Sequence, residues 1–253
     1  MFANERIDRI IKLLNDNGKV VVKELSLLFE VTEDCIRKDL KTLEQDGLIK
    51  RTYGGAILNR KTAPKSNVFN RRNDNLITKS KIAQKAFDLI EAGETIFLDI
   101  STTNILVADK IASGNKALTV ITNMLDVVSA LSKCAHVKVI CIGGVFSREL
   151  DGFIGSTAID SISKYNVNKS FIGSCGVDIF DKSVTTFDVE DGNTKKAIIK
   201  AGKKVFMVMS RDKFDVDGTY KFAELYDIDA IIVDELPESK ICEYLKEIKI
   251  QLI

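Results

Sequence analysis

The sequence predicts an α/β chain in two parts, a small N-terminal winged helix-turn-helix followed by a larger domain built on a mostly parallel sheet. Three observations carry this. Residues 19–57 hold two short helix candidates separated by a tight turn, then a short strand and a Gly-Gly reversal. From Thr78 onward the pattern changes to alternating helix and strand. The runs TIFLDI, KVICIGG and KVFMVMS carry apolar residues on both faces, as strands covered by helices on each side do. At 253 residues the chain can bury one small core and one larger one.

A first helix is expected over Asn4 to Asn15, where Ile7, Ile10, Ile11 and Leu14 form an apolar stripe and Asn17-Gly18 ends it. Val20 to Val22 can pair with the wing. A second helix spans Val22 to Phe29, a turn falls at Glu30 and Val31, and Thr32 is placed to cap a third helix from Glu33. In that helix Ile36, Leu40 and Leu43 share a buried face, while Cys35, Arg37, Lys38 and Lys41 fall mostly elsewhere, where a recognition helix meets a duplex. Gly47 ends the helix, Leu48 to Tyr53 forms a strand, and Gly54-Gly55 makes the reversal of the wing. The partner expected from this stretch is double-stranded DNA.

The net charge of +1 hides its distribution, because residues 47–73 hold seven Lys or Arg (Lys50, Arg51, Arg60, Lys61, Lys65, Arg71, Arg72) and no acid. A basic wing and tether suit phosphate contacts, which position a protein without reading sequence; a linker charged for solubility is the plainer alternative. The first domain is expected over 1–58, a basic linker with Pro64 and Ser66 over 59–75, and the second domain over 76–253. Five scattered cysteines and a single His136 suggest reduced thiols in a cytoplasmic protein with no metal site and no cofactor. Neither a leader nor a membrane-spanning apolar run is expected.

In the second domain helices are expected over 78–91, after Asp99 to Thr103, over Met124 to Lys133, Ser156 to Ser163, Asn193 to Ala201, near Phe222 to Leu225, and over Glu238 to Glu247. Strands are expected at Thr95 to Leu98, Leu118 to Thr122, Val137 to Ile142, Ser170 to Gly173, Val205 to Met209, Ala230 to Val233 and Ile248 to Leu252. A loop of about fifteen residues should follow Gly173. Ligands bind outside the carboxyl ends of such strands, and five polar or glycine-rich segments fall there: Asp99 to Thr103, Thr122-Asn123, Gly143-Gly144, Gly173 to Asp178 and Ser210 to Phe214.

Val31, Thr32, Ile36, Arg37, Lys38, Asp39, Leu40, Leu43, Gly47, Arg51, Gly54, Gly55 and Ala56 resemble the head of the DeoR-type bacterial transcriptional regulators. Leu98-Asp99 with Thr102-Thr103, Thr122-Asn123, Gly143-Gly144, Phe171 to Gly173 with Gly176, Lys195, and Lys213-Phe214 are similar to that family's sugar-phosphate-sensing domain and, more distantly, to ribose-5-phosphate isomerase. The resemblance implies a repressor of a sugar-utilisation operon, assembled as a dimer or tetramer and relieved by a phosphorylated sugar. Departures from the pattern are Cys35 in place of Thr, Ile100-Ser101 in place of Ser-Gly, and Ser210 and Asp212 in place of Asp and Ser. Loss of the glycine at 101 would shift a phosphate cradle if the backbone there had to be left-handed.

Arg37 is the expected base reader because its planar fork can make two bonds to guanine. Thr32, Lys50, Arg51 and Tyr53 are expected on phosphates, with Cys35, Lys38, Lys41, Gly54 and Gly55 beside them. Cys35 either fills a helix contact or alters one with DNA, and Asp39 is expected to orient Arg37 or Lys38. For the effector, the amides and hydroxyls of Ser101, Thr102 and Thr103 suit a phosphate. Lys195 and Lys213 supply charge unless they are surface lysines. Asp99 and Asn123 meet sugar hydroxyls or hold loops, and Gly143, Gly144 and Gly176 complete the expected rim. No catalytic residue is expected. An isomerase would need a base, for which only Asp178 or the more distant Glu190 offers itself, and a sensor that no longer binds is the other alternative.

Overall fold

The computed structural model describes residues 2–64 and 67–253; Lys65 and Ser66 of the expected linker lie outside the described residues. The chain divides into two compact units, Met1–Lys61 and Thr62–Ile253.

In the first unit helices span Ala3–Asn17, Val22–Phe29 and Glu33–Gln45. Their apolar stripes meet in one core: Ile10, Leu14, Leu25, Phe29, Ile36, Leu40 and Leu43 are buried together. Ser26 Oγ donates to the Val31 carbonyl at 2.6 Å, closing the turn between the second and third helices. Three antiparallel strands complete the unit, with Gly55–Leu58 between Lys19–Val21 and Ile49–Thr52. Gly54 stands at φ +82° at the tip of the wing, while a Cβ on Gly55 would meet the Val20 carbonyl oxygen at 2.1 Å. The Gly-Gly pair thus provides a left-handed turn and then a close strand approach.

The second unit is a three-layer sandwich about a seven-stranded parallel sheet, in the order Gln251–Leu252, Ala230–Ile232, Gly202–Val208, Val167–Ile172, Thr95–Leu98, Leu118–Thr122, Val137–Cys141. Alternation along each strand divides the core. Phe97, Ile121, Ile172 and Met207 face the helices Ser156–Ile162, Val189–Ala201 and Ser239–Glu247. Ile96, Leu98, Val120 and Phe171 face Leu76–Asp88, Thr102–Ser113 and Leu125–Leu131. The strand order reverses between Thr95–Leu98 and Val167–Ile172, so the crevice at their carboxyl ends is the topological switch point.

Several expectations need correction. Residues 59–75 are not a uniform linker. Asn59 belongs to the head, its side-chain Nδ2 donating to the Gly47 carbonyl at 2.9 Å, whereas Val68–Arg72 is a short helix whose Val68 is wholly buried in the second unit. The loop expected after Gly173 is largely a sheet, in which Gly176–Asp178 and Tyr220–Glu224 flank Ser183–Thr186. Tyr220–Glu224 takes the place of the helix expected near Phe222. A register shift opposite Val184 and Thr185 lets Phe222 and Ala223 both turn inward, and a short apolar run does not by itself distinguish strand from helix. Gly143-Gly144 leads into a hairpin, Val145–Ser147 with Gly152–Ile154.

Candidate functional site

In the first unit Thr32 caps the third helix, its Oγ1 accepting from the Cys35 amide at 3.3 Å. Cys35 is half-buried; Arg37, Lys38, Lys41, Lys50, Arg51 and Tyr53 are exposed. Two of these cations are engaged within the head. Arg37 lies 2.6 Å from Glu33 and 2.7 Å from Asp34. Arg51 donates through Nε at 2.7 Å and through its amide at 3.0 Å to Glu44, and these bonds hold the Glu44 carboxyl below its ordinary value. Exposed pairs of this kind contribute about 0–1 kcal/mol, so an approaching phosphate or base can displace them.

Asp39 does not orient Arg37 or Lys38. It is buried, and both of its oxygens accept from Arg6, Nε at 2.5 Å and Nη2 at 3.1 Å. This fork-to-carboxylate contact fastens the first helix to the recognition helix. Sequence reasoning passed over Arg6, although the signal was present: it stands four residues before Ile10 on the buried stripe, and Asp39 stands between Ile36 and Leu43 at the same helical spacing.

At the switch point of the second unit a concave pocket is lined by Ile100, Ser101 and Thr102 from one strand end and by Gly173, Ser174 and Cys175 from the next. Thr186, Phe187, Asp188, Asp191 and Lys195 form another wall; Lys213, Arg71 and the hairpin residues Ser147, Glu149 and Leu150 complete it. Of the expected effector residues, Ser101, Thr102, Lys195 and Lys213 come together here. Ser101 is extended, at φ −162° and ψ 137°, so no glycine is needed, and its Oγ caps the following helix by accepting from the Thr103 amide at 3.2 Å.

Asp99 lies fully buried beneath the pocket. Its Oδ2 accepts from the Gly173 amide at 3.0 Å and from Lys195 Nζ, while its Oδ1 has no partner among the described residues. Burial pushes this carboxyl up, to about 6, against the pull of Lys195 and with the negative charge of Asp191 adding to the rise. Lys195 also faces Asp191 Oδ1 at 3.4 Å and the Ile100 carbonyl at 3.3 Å. Burial draws its ammonium down, but the two carboxylates outweigh that and hold it above its ordinary value. Lys213 Nζ donates to the Ser174 carbonyl at 2.5 Å, and burial lowers this ammonium to about 8, with the charge of Arg71 adding to the fall. Neither lysine is a free surface group.

Other expected rim residues stand elsewhere. Thr103 is buried in the helix behind the pocket. Asn123 is fully buried and holds the hairpin, Nδ2 donating to the Phe153 carbonyl at 2.9 Å. A Cβ on Gly144 would press on the Ile154 carbonyl at 2.9 Å, and one on Gly176 on the Val216 carbonyl at 1.9 Å; both glycines serve backbone packing, and Gly143 does not line the pocket. Asp178 caps its own turn, accepting from the amides of Phe180 at 2.7 Å and Asp181 at 3.2 Å, and neither it nor Glu190 lines the pocket.

Asn104 and Asp191 escaped the sequence reading. Asn104 Nδ2 donates to the carbonyls of Asp99 and Phe171, each at 2.9 Å, tying the two central strand ends together. Asp191, four residues before Lys195 on one helix face, carried a legible spacing. Among the described residues no cluster of His, Cys, Asp or Glu is arranged to hold a metal, and no helix is long and apolar enough to cross a membrane.

Residues 6–62 match the model of the DeoR-like helix-turn-helix domain, and residues 74–235 match that of the DeoR C terminal sensor domain. The chain is 32% identical over 256 residues to the glycerol-3-phosphate regulon repressor of Escherichia coli K12, covering 100% of this chain and 99% of the relative. It is 30% identical over 253 residues to the HTH-type transcriptional repressor GlcR of Bacillus subtilis 168, covering 100% and 96%. Among solved structures, ribose 5 phosphate isomerase A from Neisseria gonorrhoeae aligns with 53% of this chain and 52% of its own, at a TM-score of 0.40 and 12% identity.

Proposed function

Because the chain belongs to the DeoR family of helix-turn-helix transcriptional regulators, we propose that it represses genes of sugar metabolism and is relieved when a phosphorylated sugar occupies the pocket of the second unit. The observation that carries this reading is the concave pocket at the switch point, bordered by Thr102, Lys213 and Arg71. Its cations and the hydroxyls beside them suit a phosphoryl group, and the acids Asp188 and Asp191 suit sugar hydroxyls. In the head, Arg37 reads base edges while Lys38, Lys41, Lys50, Arg51 and Tyr53 set position on the backbone. Two or more copies bring heads to paired half-sites, and the effector favours an arrangement with lower operator affinity. The site of action is the cytoplasm, where the five cysteines, all free, stay reduced.

We read the second unit as a sensor, not an isomerase. Proton transfer between adjacent carbons needs an uncommitted base against the sugar. Asp178 is occupied in a turn, Asp188 caps its helix by accepting from the Asp191 amide at 2.8 Å, and Asp191 is held by Lys195 and by Thr186, whose Oγ1 donates to it at 2.7 Å. The test is binding of the purified protein to genomic DNA fragments at fixed salt, with sugar phosphates and their unphosphorylated counterparts added in turn. Selective release by one phosphorylated sugar is expected. Selective DNA binding that no phosphate changes would overturn the effector assignment, and turnover of a sugar phosphate would overturn the non-catalytic one.

A further inference from the structure

The sequence places Arg71 and Arg72 in a basic tether, as candidates for DNA phosphates. Both side chains instead belong to the second unit. Arg72 lies 2.7 Å from Asp151 and also pairs with Asp126, which fastens the helix Val68–Arg72 beside the hairpin Val145–Ser147/Gly152–Ile154. The Val68 amide donates to the Glu149 carbonyl at 3.0 Å, a second attachment to that hairpin. Arg71, one residue away, turns into the pocket. Its Nε is buried and donates to no acceptor among the described residues.

Three cations line the pocket, and their commitments differ. Lys195 sits between two carboxylates and its charge is already answered. Among the described residues Lys213 donates to a neutral carbonyl, and Arg71 adds a like charge near it. The like charge of Arg71 disfavours the charged form of Lys213, and a buried guanidinium N–H without an acceptor is costly. A single dianion between them removes both penalties. The planar fork of arginine suits two oxygens of one phosphoryl group, where a lysine offers a point charge.

We propose that Arg71 is a phosphoryl-contacting residue of the effector site, acting together with Lys213, and that its engagement fixes the helix Val68–Arg72 against the sensor. This rests on the sugar-phosphate reading above. It adds a route by which occupancy is felt along the chain, because this helix is the first of the second unit and follows the wing in sequence by ten residues, 58 to 68. Binding therefore acts on a segment of the chain that leads towards the head.

The experiment is calorimetric titration of the full-length protein with glucose 6-phosphate, fructose 1-phosphate, ribose 5-phosphate, sn-glycerol 3-phosphate and inorganic phosphate. Wild type is compared with Arg71→Gln, Arg71→Lys and, as a control cation outside the pocket, Arg211→Gln. Hydrogen exchange of residues 67–72 is followed with and without the phosphate that binds most tightly. We expect Arg71→Gln to weaken that phosphate by about tenfold or more, Arg71→Lys to lie between it and wild type, and Arg211→Gln to match wild type. Folding of Arg71→Gln is checked by its thermal transitions, which should match wild type, and exchange over 67–72 slows on binding to wild type. Undiminished binding by Arg71→Gln overturns the contact, and unchanged exchange overturns the coupling. If wild type binds none of these phosphates, the sugar-phosphate reading falls and the proposal with it, a result distinct from a variant that binds as well as wild type.

Discussion

Arg6 and Asp39, thirty-three positions apart, meet in the core of the head through two hydrogen bonds at 2.5 and 3.1 Å. The recognition helix is thereby held to the first helix by a buried ion pair as well as by apolar packing. Removing one partner leaves the other charge buried and unanswered, at a cost on the order of 3–5 kcal/mol. A domain of this size has little more stability than that. Asp39→Ala should therefore unfold the head and abolish DNA binding while the second unit keeps its own melting transition. Arg6→Met combined with Asp39→Leu should restore much of the loss. Two thermal transitions followed by calorimetry check this, and a single variant that still binds operator at wild-type affinity would refute it.

Arg37 illustrates an exposed cation held in reserve. It is shared between Glu33 and Asp34 on its own helix, and the proposed contact with DNA would displace both. Arg37→Ala should lower discrimination between operator and scrambled duplex by about 1–3 kcal/mol, with a smaller effect on nonspecific binding. Equal losses on both duplexes would mean that Arg37 touches backbone only. Glu33→Gln with Asp34→Asn should strengthen binding to any duplex, most at low salt.

The ammonium of Lys213 is lowered to about 8 by burial, so binding of the proposed effector should depend on pH. An anion favours the charged form, so binding needs that proton in place. Between about pH 7 and 8 affinity should be nearly flat. Above about 8 the free protein has lost the proton, and affinity should fall by up to about tenfold per pH unit. Lys213→Met should bind weakly and lose this slope. Calorimetric titrations at pH 7, 8 and 9 test it, and a slope that survives in Lys213→Met would assign the titration to another group.

Gly173 lies at the end of one central strand, against Ser101 at the end of the other. A Cβ there would come within 2.7 Å of Ser101 Cβ and 3.0 Å of Ser101 Oγ. Gly173→Ala should therefore push the Ser101 turn outward at a cost of about 1–3 kcal/mol, which a unit with two large apolar clusters can absorb. The expected phenotype is a protein that binds operator normally and no longer responds to phosphate. Effector release equal to wild type would show that the Ser101 turn plays no part in the response.

The head was legible almost to the residue, because its signals are local. The stripe of Ile10 and Leu14, the Thr32 cap and the Gly54-Gly55 reversal each act within a few residues. Val22–Phe29 falls where the sequence places it. The parallel sheet was legible from its doubly apolar strands, and so was the edge of the sheet on which polar segments gather. Asn123, Gly144 and Gly176 carried the same local signature as Ser101 and Thr102, yet they hold hairpins and strand crossings beside the pocket. A polar or glycine residue after a strand marks the end of the strand; which of several such ends border one cavity depends on strand order.

By itself the sequence determined that this chain has a winged head, a parallel α/β domain and a polar edge on its sheet, since hydrophobic period, caps and turns all operate over short spans. Only the tertiary structure decided which charges are already answered. Arg6 with Asp39, and Lys195 with Asp99 ninety-six positions away, are matched across the fold because a buried charge must find its partner wherever packing puts one. The same folding withdrew Arg71 from the basic tether and left its Nε in the pocket without an acceptor among the described residues. A run of cations in sequence has one sign throughout, whereas in the folded chain each is free or spent according to what lies within about 3–4 Å of it.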